Sequence, residues 1–262
     1  MKNAVVAESL AAGYTDGFCF KQLNLNIKQG KITTLIGANG SGKSTILKCM
    51  SRLISPKEGC VCLDGQSIFK MPTKAVAKRL ALLPQNSKTP EGITVEELVE
   101  NGRFPYRKNM SRMTAEDRKI VEWAMEVCNI QEFAAREVDE LSGGQRQRVW
   151  IAMALAQKTE ILFLDEPTTY LDIAHQLDIM QLLSKLNKEQ GVTIAMVLHD
   201  LNHAAMYSDC IVAIKDGEKI CEGTPEEIIT PKILAQVFDI KATILKHPVL
   251  NVPVCLPYGL TR

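Results

Sequence analysis

One short segment limits the possible folds of this chain more than any other. Residues 37–45 read Gly-Ala-Asn-Gly-Ser-Gly-Lys-Ser-Thr and match the pattern G-x-x-x-x-G-K-[ST]. They follow an apolar run at 32–36 and open a helical pattern at 43–53. Glycines let successive backbone N–H groups turn inward toward phosphate oxygens, and a helix N-terminus adds partial positive charge. The segment therefore predicts an α/β chain that binds a polyphosphate at the end of a strand.

The residues of this phosphate loop have distinct expected roles. We expect the ammonium group of Lys43 to reach the terminal phosphates and the hydroxyl of Ser44 to bind Mg²⁺. The rest of the loop is expected to surround the nucleotide phosphates through Gly37, Asn39, Gly40, Ser41, Gly42 and Thr45. The alternative is a glycine-rich turn with a chance lysine, but the strand before it and the helix after it favour a binding loop.

Strand and helix patterns alternate along most of the chain. Apolar runs typical of strands covered on both faces lie at 32–36, 80–83, 161–164, 192–198 and 210–214. Helical patterns lie at 43–53, 144–156, 173–189 and 201–208. This alternation predicts a mainly parallel sheet with helices on both faces.

Several regions depart from the alternation. Segments 5–10, 23–27 and 60–63 alternate polar with apolar residues, which predicts half-exposed antiparallel strands. Residues 86–139 carry helical patterns and almost no strand signal, which predicts a helical insertion. Two short helices after residue 224 and an extended, proline-containing tail at 241–262 are expected to follow.

Composition and charge exclude other classes of protein. Hydrophobic residues make up 46% and charged residues 23% of the 262, as in globular domains. The net charge of +1 gives no reason to expect a nucleic-acid partner. No apolar run reaches the roughly 18 residues of a membrane span, and no secretory signal is expected. We therefore expect an unexported chain whose eight cysteines are reduced.

Two carboxylates end the apolar run at 161–164. Ligands gather at the carboxyl ends of parallel strands, so we expect Asp165 beside the phosphate loop as a ligand of Mg²⁺. Consecutive strand residues point to opposite sides, which leaves Glu166 to face the terminal phosphate and deprotonate a water molecule. The alternative is a strand end whose carboxylates are only solvated, but the phosphate loop earlier in the chain favours the functional interpretation.

Other polar residues lie at similar places. Gln85 and His199 each follow an apolar strand pattern, which again puts them at the ligand edge of a sheet. Ser142 is a helix-capping residue before a helix that opens with two glycines, which indicates either a second anion-binding helix start or, for this segment taken alone, a plain N-cap. Zinc binding is not expected at His199 with His203, since His199 belongs to a strand end, nor at the paired cysteines 60 and 62, which lack a second Cys or His pair.

The order of these motifs resembles that of ATP-binding-cassette (ABC) ATPases over about residues 3–240. The resemblance implies an α/β P-loop NTPase of the ABC type, with a mainly parallel sheet core and an antiparallel β subdomain. It also implies a nucleotide-binding domain over 1–240, a helical subdomain inserted at about 86–157, and a C-terminal extension at 241–262 packed on the core.

The resemblance further implies a site shared by two copies of the chain. The copies would pack head to tail and enclose ATP and Mg²⁺ between the phosphate loop of one and a signature segment of the other. In the signature segment, the implied residues are Ser142, Gly143, Gly144 and Gln145. Tyr14 would stack on adenine, and Gln85 would sense Mg²⁺ and water. Asp172 would bridge the two sites, and His199 would contact the γ-phosphate and orient the base Glu166.

Segments 100–106, 167–176 and 199–205 resemble the ATP-binding subunits of iron-chelate importers, which handle ferric siderophores, haem and cobalamin. This implies an ATPase at the cytoplasmic face of the membrane that works with separate polytopic permease subunits and, indirectly, with an external substrate-binding protein. Tyr106 stands where relatives often carry histidine, so the chelate stays open. The alternatives are a soluble ABC ATPase acting on DNA or ribosomes, a module without turnover, or an importer of cobalamin, haem or a metal ion.

A basic run lies inside the helical insertion. Between residues 103 and 119, six basic residues stand against two acidic ones: Arg103, Arg107, Lys108, Arg112, Arg118 and Lys119 against Glu116 and Asp117. Such a run is either a solvated helix face or a surface that meets membrane subunits or anionic headgroups.

Overall fold

Two compact units divide the chain. The computed structural model describes residues 2–13, 19–85, 89–107 and 113–261. One unit consists of Met1–Lys70 with Thr193–Arg262, and the other of Met71–Val192. The expected boundaries of the nucleotide-binding domain, the insertion and the extension stay predictions.

The two units hold elements of both kinds. The first part of the chain forms β1 (Asn3–Gly13), β2 (Cys19–Lys28), β3 (Ile32–Ile36), α1 (Lys43–Met50), β4 (Glu58–Leu63) and β5 (Gln66–Ser67). The unit Met71–Val192 forms α2 (Thr73–Ala77), β6 (Leu80–Leu83), α3 (Val95–Glu100), a 3-10 helix (Asn101–Tyr106), α4 (Ala115–Val127), short 3-10 turns at Gln131–Phe133 and Val138–Glu140, α5 (Gly143–Ala156), β7 (Ile161–Asp165) and α6 (Ile173–Gln190). The last part forms β8 (Thr193–Val197), α7 (Leu201–Tyr207), β9 (Cys210–Lys215), β10 (Glu218–Gly223), α8 (Pro225–Ile228), α9 (Pro231–Phe238), β11 (Ile240–Lys246) and β12 (Pro253–Leu260).

The unit that holds both ends of the chain contains separate sheets. Antiparallel strands in the order β2-β1-β4-β5 form one sheet, as the alternating N-terminal patterns predict. In the next, β3 lies between β9 and β8 and runs parallel to both, and β10 pairs antiparallel with β9. Every residue of β3 and β8 is buried, which explains why these strands lack the polar–apolar alternation of half-exposed strands. The mainly parallel core is thereby confirmed.

The unit Met71–Val192 combines two parallel strands with a helical cluster. β6 and β7 pair from Leu80 opposite Ile161 to Leu83 opposite Leu164. Between them along the chain, α3, α4 and α5 pack against one another. The capping boxes that start α3 and α4 are formed by Thr94 and Thr114. Their side chains accept hydrogen bonds from backbone N–H groups that have no acceptor within the helix.

The first helix is shorter than its apolar pattern predicts. α1 ends at Met50, because Arg52 adopts a left-handed conformation with φ of 69°. The N–H of Leu53 then returns to the carbonyl of Lys48 at 2.9 Å, which closes the helix end. Leu53 consequently lies outside the helix and is 63% exposed.

The C-terminal residues form an antiparallel hairpin of β11 and β12. Its second strand is held by the amide of Asn202 in α7, which accepts the N–H of Cys255 at 2.8 Å and donates to its carbonyl at 3.4 Å. The side chain of Asn202 thus makes the two hydrogen bonds that a neighbouring strand would otherwise make to the backbone of Cys255.

Within the described ranges, none of the helices combines the length and the apolar character that crossing a bilayer requires.

Candidate functional site

The phosphate loop has the conformation that the sequence pattern predicts. It leaves β3 at Gly37 and enters α1 at Lys43, whose ammonium group is buried inside the loop. That ammonium donates to the carbonyls of Gly37 and Ala38, each at 2.9 Å. A buried cation is tolerated because these acceptors replace water. Lys43 is therefore held at the centre of the loop.

Two glycines of the loop are required by its geometry. A Cβ atom on Gly37 would lie 2.1 Å from the carbonyl oxygen of Ile214 in β9. Gly42 caps α1 in the left-handed region, with φ of 98° and no capping side chain. The loop tip at 38–40, which includes Asn39 and Gly40, is exposed, whereas Ser41 and Thr45 are buried. The tip of the loop is thus open to solvent, whereas Ser41 and Thr45 lie inside the fold.

His199 emerges at the same edge of the sheet as the phosphate loop. β3 and β8 run parallel with Leu35 opposite Val197, and the N–H of Leu198 reaches the carbonyl of Leu35 at 3.4 Å. The residues that follow both strands therefore leave the sheet on one side. His199 is exposed there, and its neighbour Asp200 caps α7 by accepting the N–H groups of Asn202 and His203.

In the unit Met71–Val192, the structure brings together Gln85 and Glu166. These residues follow the paired strands β6 and β7, and the Gln85 amide donates to the Glu166 carboxylate. The hydroxyl of Thr169 donates to the same carboxylate oxygen at 3.0 Å. Sequence reasoning missed Thr169, although a threonine three residues beyond the carboxylate, after Pro167, could have indicated a turn that returns to it.

The sharp turn after β7 explains this arrangement. Glu166 has a left-handed backbone with φ of 54°, and the N–H of Thr169 bonds to the Glu166 carbonyl at 3.3 Å. Such a conformation costs a non-glycine residue on the order of 1 kcal/mol and is found at functional sites. Two donors on one oxygen hold the Glu166 carboxylate in place, and a carboxylate is a group that can take a proton from water.

Asp165 ends β7 and is 2% exposed. It supplies a carboxylate, Ser44 a hydroxyl and Gln85 an amide oxygen, which are the oxygen ligands that Mg²⁺ prefers. Ser44 lies in the phosphate loop of the other unit, half buried in the first turn of α1. The chemistry of these donors therefore fits the predicted metal.

The signature segment starts α5 as a capping box. The N–H of Gln145 reaches the Ser142 hydroxyl at 3.3 Å, and the Gln145 amide oxygen accepts the N–H of Ser142 at 3.0 Å. Ser142 and Gly143 are exposed, whereas Gly144 is buried. Helix starts leave N–H groups that attract anions, and the binding of a phosphate at this end of α5 stays a prediction.

Comparison with known proteins identifies the family. Residues 20–169 match the family model described as ABC transporter, more than half of the chain. The chain belongs to the ABC transporter family.

The relatives of this ABC cassette match nearly its whole length. It is 56% identical over 260 residues to the iron(3+)-hydroxamate import ATP-binding protein FhuC of Bacillus subtilis (strain 168), which covers 99% of this chain and 97% of the relative. It is 46% identical to the ferric enterobactin transport ATP-binding protein FepC of Escherichia coli (strain K12), covering 97% and 94%. It is also similar to the dimeric structure of MJ0796, a bacterial ABC transporter cassette, with 34% identity, a TM-score of 0.74, and 84% and 98% of the chains covered.

Asp172 caps the helix after Glu166. Its carboxylate accepts the N–H of His175 at 2.9 Å and contacts the Nδ1 of the same residue at 2.8 Å. The backbone bond first, and then the imidazole, hold the pKa of Asp172 below its ordinary value. Asp172 is exposed, as are its apolar neighbours Tyr170 and Ile173, at 92% and 75%.

Tyr14, predicted to stack on adenine, lies outside the described residues.

Three arginines of the basic run in the insertion lie near carboxylates. Arg103 is buried, with its guanidinium 2.8 Å from Asp117 and 2.8 Å from the carbonyl of Ala156. Arg107 lies 3.6 Å from Glu100. Arg118 lines a cavity of about 410 Å³ together with Glu96, Glu97, Glu100 and Glu122. Local carboxylates therefore oppose these cations. Lys108 and Arg112 lie outside the described ranges.

The residues weighed as zinc ligands, His203, Cys60 and Cys62, have other neighbours in the structure. The described part of the chain contains no group of three or more His, Cys, Asp or Glu side chains placed to hold a metal ion. His203 is buried against the ring of Tyr207, 6.2 Å between centroids. The thiols of Cys60 and Cys62 lie 3.8 Å apart on one strand face, with Glu8 beside Cys60.

Proposed function

We propose that this ABC cassette is the ATP-hydrolysing subunit of a bacterial importer for ferric siderophores. The observation that carries the proposal is the Glu166 carboxylate, held by Gln85 and Thr169 beyond paired parallel strands. That arrangement suits a base for water attack on a phosphate. The transported class is supported by the names of relatives that act in import of iron(3+) hydroxamate and ferric enterobactin.

Each predicted site residue has a role in this proposal. Lys43 balances the charge of the terminal phosphates, and Glu166 takes a proton from the attacking water. His199 contacts the γ-phosphate and orients Glu166. Mg²⁺, when bound by oxygens of Ser44, Asp165 and Gln85, neutralises phosphate charge.

We further propose that two copies enclose two ATP molecules head to tail. The exposed Ser142 and Gly143 at the start of α5 would meet the phosphate loop of the other copy. Tyr170 and Ile173 are large apolar side chains that solvent would otherwise surround, and a second copy would cover them. The similar MJ0796 cassette is described as dimeric.

The proposed location is the cytoplasmic face of the membrane, where polytopic permease subunits hold the cassette. Phe104 supports a docking point in the helical cluster, because it is 65% exposed on the 3-10 helix Asn101–Tyr106. Its neighbour Arg103 is buried and bonded to Asp117, which keeps this short segment rigid. Phe104→Ala should weaken co-purification with the permease, whereas Leu53→Ala, equally exposed in the other unit, should not.

ATP turnover tests the proposed activity. Glu166→Gln should keep ATP affinity and lower the hydrolysis rate at least about a hundredfold, within the range of a general base. Lys43→Ala should instead weaken ATP binding, measured by titration with a fluorescent ATP analogue. Wild-type turnover in the Glu166 variant would exclude that residue as the base.

Uptake tests the proposed substrate class. In cells that lack their own siderophore ATPase, the wild-type chain and its permease should restore uptake of radioactive iron as a ferric hydroxamate, and Glu166→Gln should not. Uptake of cobalamin or haem, with none of ferric siderophore, would overturn the substrate class while leaving ATP hydrolysis in place.

A further inference from the structure

The imidazole of His175 lies against the first turn of the signature helix α5. A Cβ atom added to Gly144 would come within 2.3 Å of Cδ2, 2.8 Å of Cγ and 2.9 Å of Nε2 of that ring. Both residues belong to the unit Met71–Val192. The ring of His175 therefore covers Gly144, and no larger residue fits at this position while the ring stays in place.

The same imidazole also contacts Asp172. Its Nδ1 lies 2.8 Å from the carboxylate oxygen that already accepts the backbone N–H of His175. Because a carboxylate only accepts, the proton of this contact is on Nδ1. One ring consequently contacts the residue expected to bridge the two ATP sites and the helix expected to meet ATP.

Helix capping alone does not explain a histidine here. The cap of α6 uses the backbone N–H of residue 175, which almost any residue supplies. The side chain adds a second bond to Asp172 and fills the space left by the missing side chain of Gly144. Leu171 packs beside this contact, since its Cδ2 lies 4.0 Å from a Cβ position on Gly143.

We propose that His175 is a positioning residue that fixes Asp172 and the first turn of α5 in a single arrangement, so that ATP contact at one is transmitted to the other. This inference rests on the proposed function. It predicts that losing the ring impairs the chemical step and not the first binding of ATP, because the phosphate loop belongs to the other unit.

Three variants of the full chain test this role. His175→Ala removes both contacts, and His175→Asn keeps a donor, since Nδ2 of asparagine is as many bonds from Cβ as Nδ1 of histidine. Asp178→Ala is the matched control, because it breaks the 2.9 Å ion pair with Arg148 that also joins α6 to α5 but leaves Asp172 and Gly144 untouched.

Steady-state hydrolysis and titration of a fluorescent ATP analogue separate the outcomes. We expect His175→Ala to lower kcat about tenfold or more while the Kd for ATP changes less than about twofold, which also shows that the variant is folded. We expect His175→Asn to return kcat to within about threefold of wild type and Asp178→Ala to stay within about twofold.

An unchanged kcat in His175→Ala would overturn the inference. So would an asparagine variant no better than alanine, or an equal loss in Asp178→Ala, which would indicate general helix packing. A wild-type chain that neither binds nor hydrolyses ATP would instead overturn the proposed function.

Discussion

Removing the carboxylate of Asp117 should destabilise the helical cluster severely. The Arg103 and Asp117 side chains are only 5% and 10% exposed, with Nε and Oδ1 2.8 Å apart. Asp117 also accepts the N–H and the hydroxyl of Thr114 at 3.1 and 2.7 Å. Among the described residues, Asp117→Ala therefore leaves the buried guanidinium with the Ala156 carbonyl and the Tyr106 ring, 3.9 Å away, as partners.

The expected loss follows from this burial. Breaking a buried pair on one side costs about 3–5 kcal/mol. For a chain of this size each kcal/mol lowers Tm by roughly 2–4 °C, so we expect a fall of roughly 6–20 °C by calorimetry. Glu160→Ala is the control, because its pair with Arg79 at 3.0 Å is 65% exposed on the glutamate side and should contribute under about 1 kcal/mol.

A second substitution tests the cause. If an uncompensated buried cation produces the loss, then Arg103→Met added to Asp117→Ala should raise Tm above that of Asp117→Ala alone. A double variant less stable than the single one would refute the reasoning.

Acid provides an independent check of the same carboxylate. Burial alone would raise the pKa of Asp117, but the bonds from Thr114 and Arg103 outweigh it and lower the pKa below its ordinary value. The stabilisation is thus complete above about pH 4, the ordinary value, and is lost as the pH falls through the lowered pKa. The Tm difference between wild type and Asp117→Ala should shrink below about pH 4, and a constant difference would contradict the charge argument.

Two further predictions concern the site and the thiols. Thr169→Val removes one donor to the Glu166 carboxylate and should lower kcat about tenfold in a phosphate-release assay without changing ATP affinity. An unchanged kcat would show that hydrolysis does not depend on the Thr169 hydroxyl. Burial raises the pKa of Cys49 to about 11 and that of Cys128 to about 12, so both should stay unalkylated by iodoacetamide in the native chain at pH 8, and rapid labelling seen by mass spectrometry would refute their burial.

Much of the fold was predictable because local pattern and tertiary environment agree. The runs 32–36 and 80–83 became β3 and β6 with the predicted bounds, since a strand covered on both faces carries β-branched or apolar residues at successive positions. The end of α1 was not predictable, because the left-handed residue that ends it is Arg52, where no glycine marks the position. The role of Arg103 was also hidden, since a basic residue in a charged run gives no sign of burial.

The sequence by itself determined the chemistry of this protein: glycines and a lysine in one loop, carboxylates at a strand end, and a signature before a helix. These follow from spacing along the chain, which sets backbone conformation and the edge at which a side chain emerges. Only the tertiary structure decided which groups meet. Thr169 turns back to Glu166, and His175 lies between Asp172 and Gly144, because contacts made across a turn or between helices depend on packing that no local pattern contains.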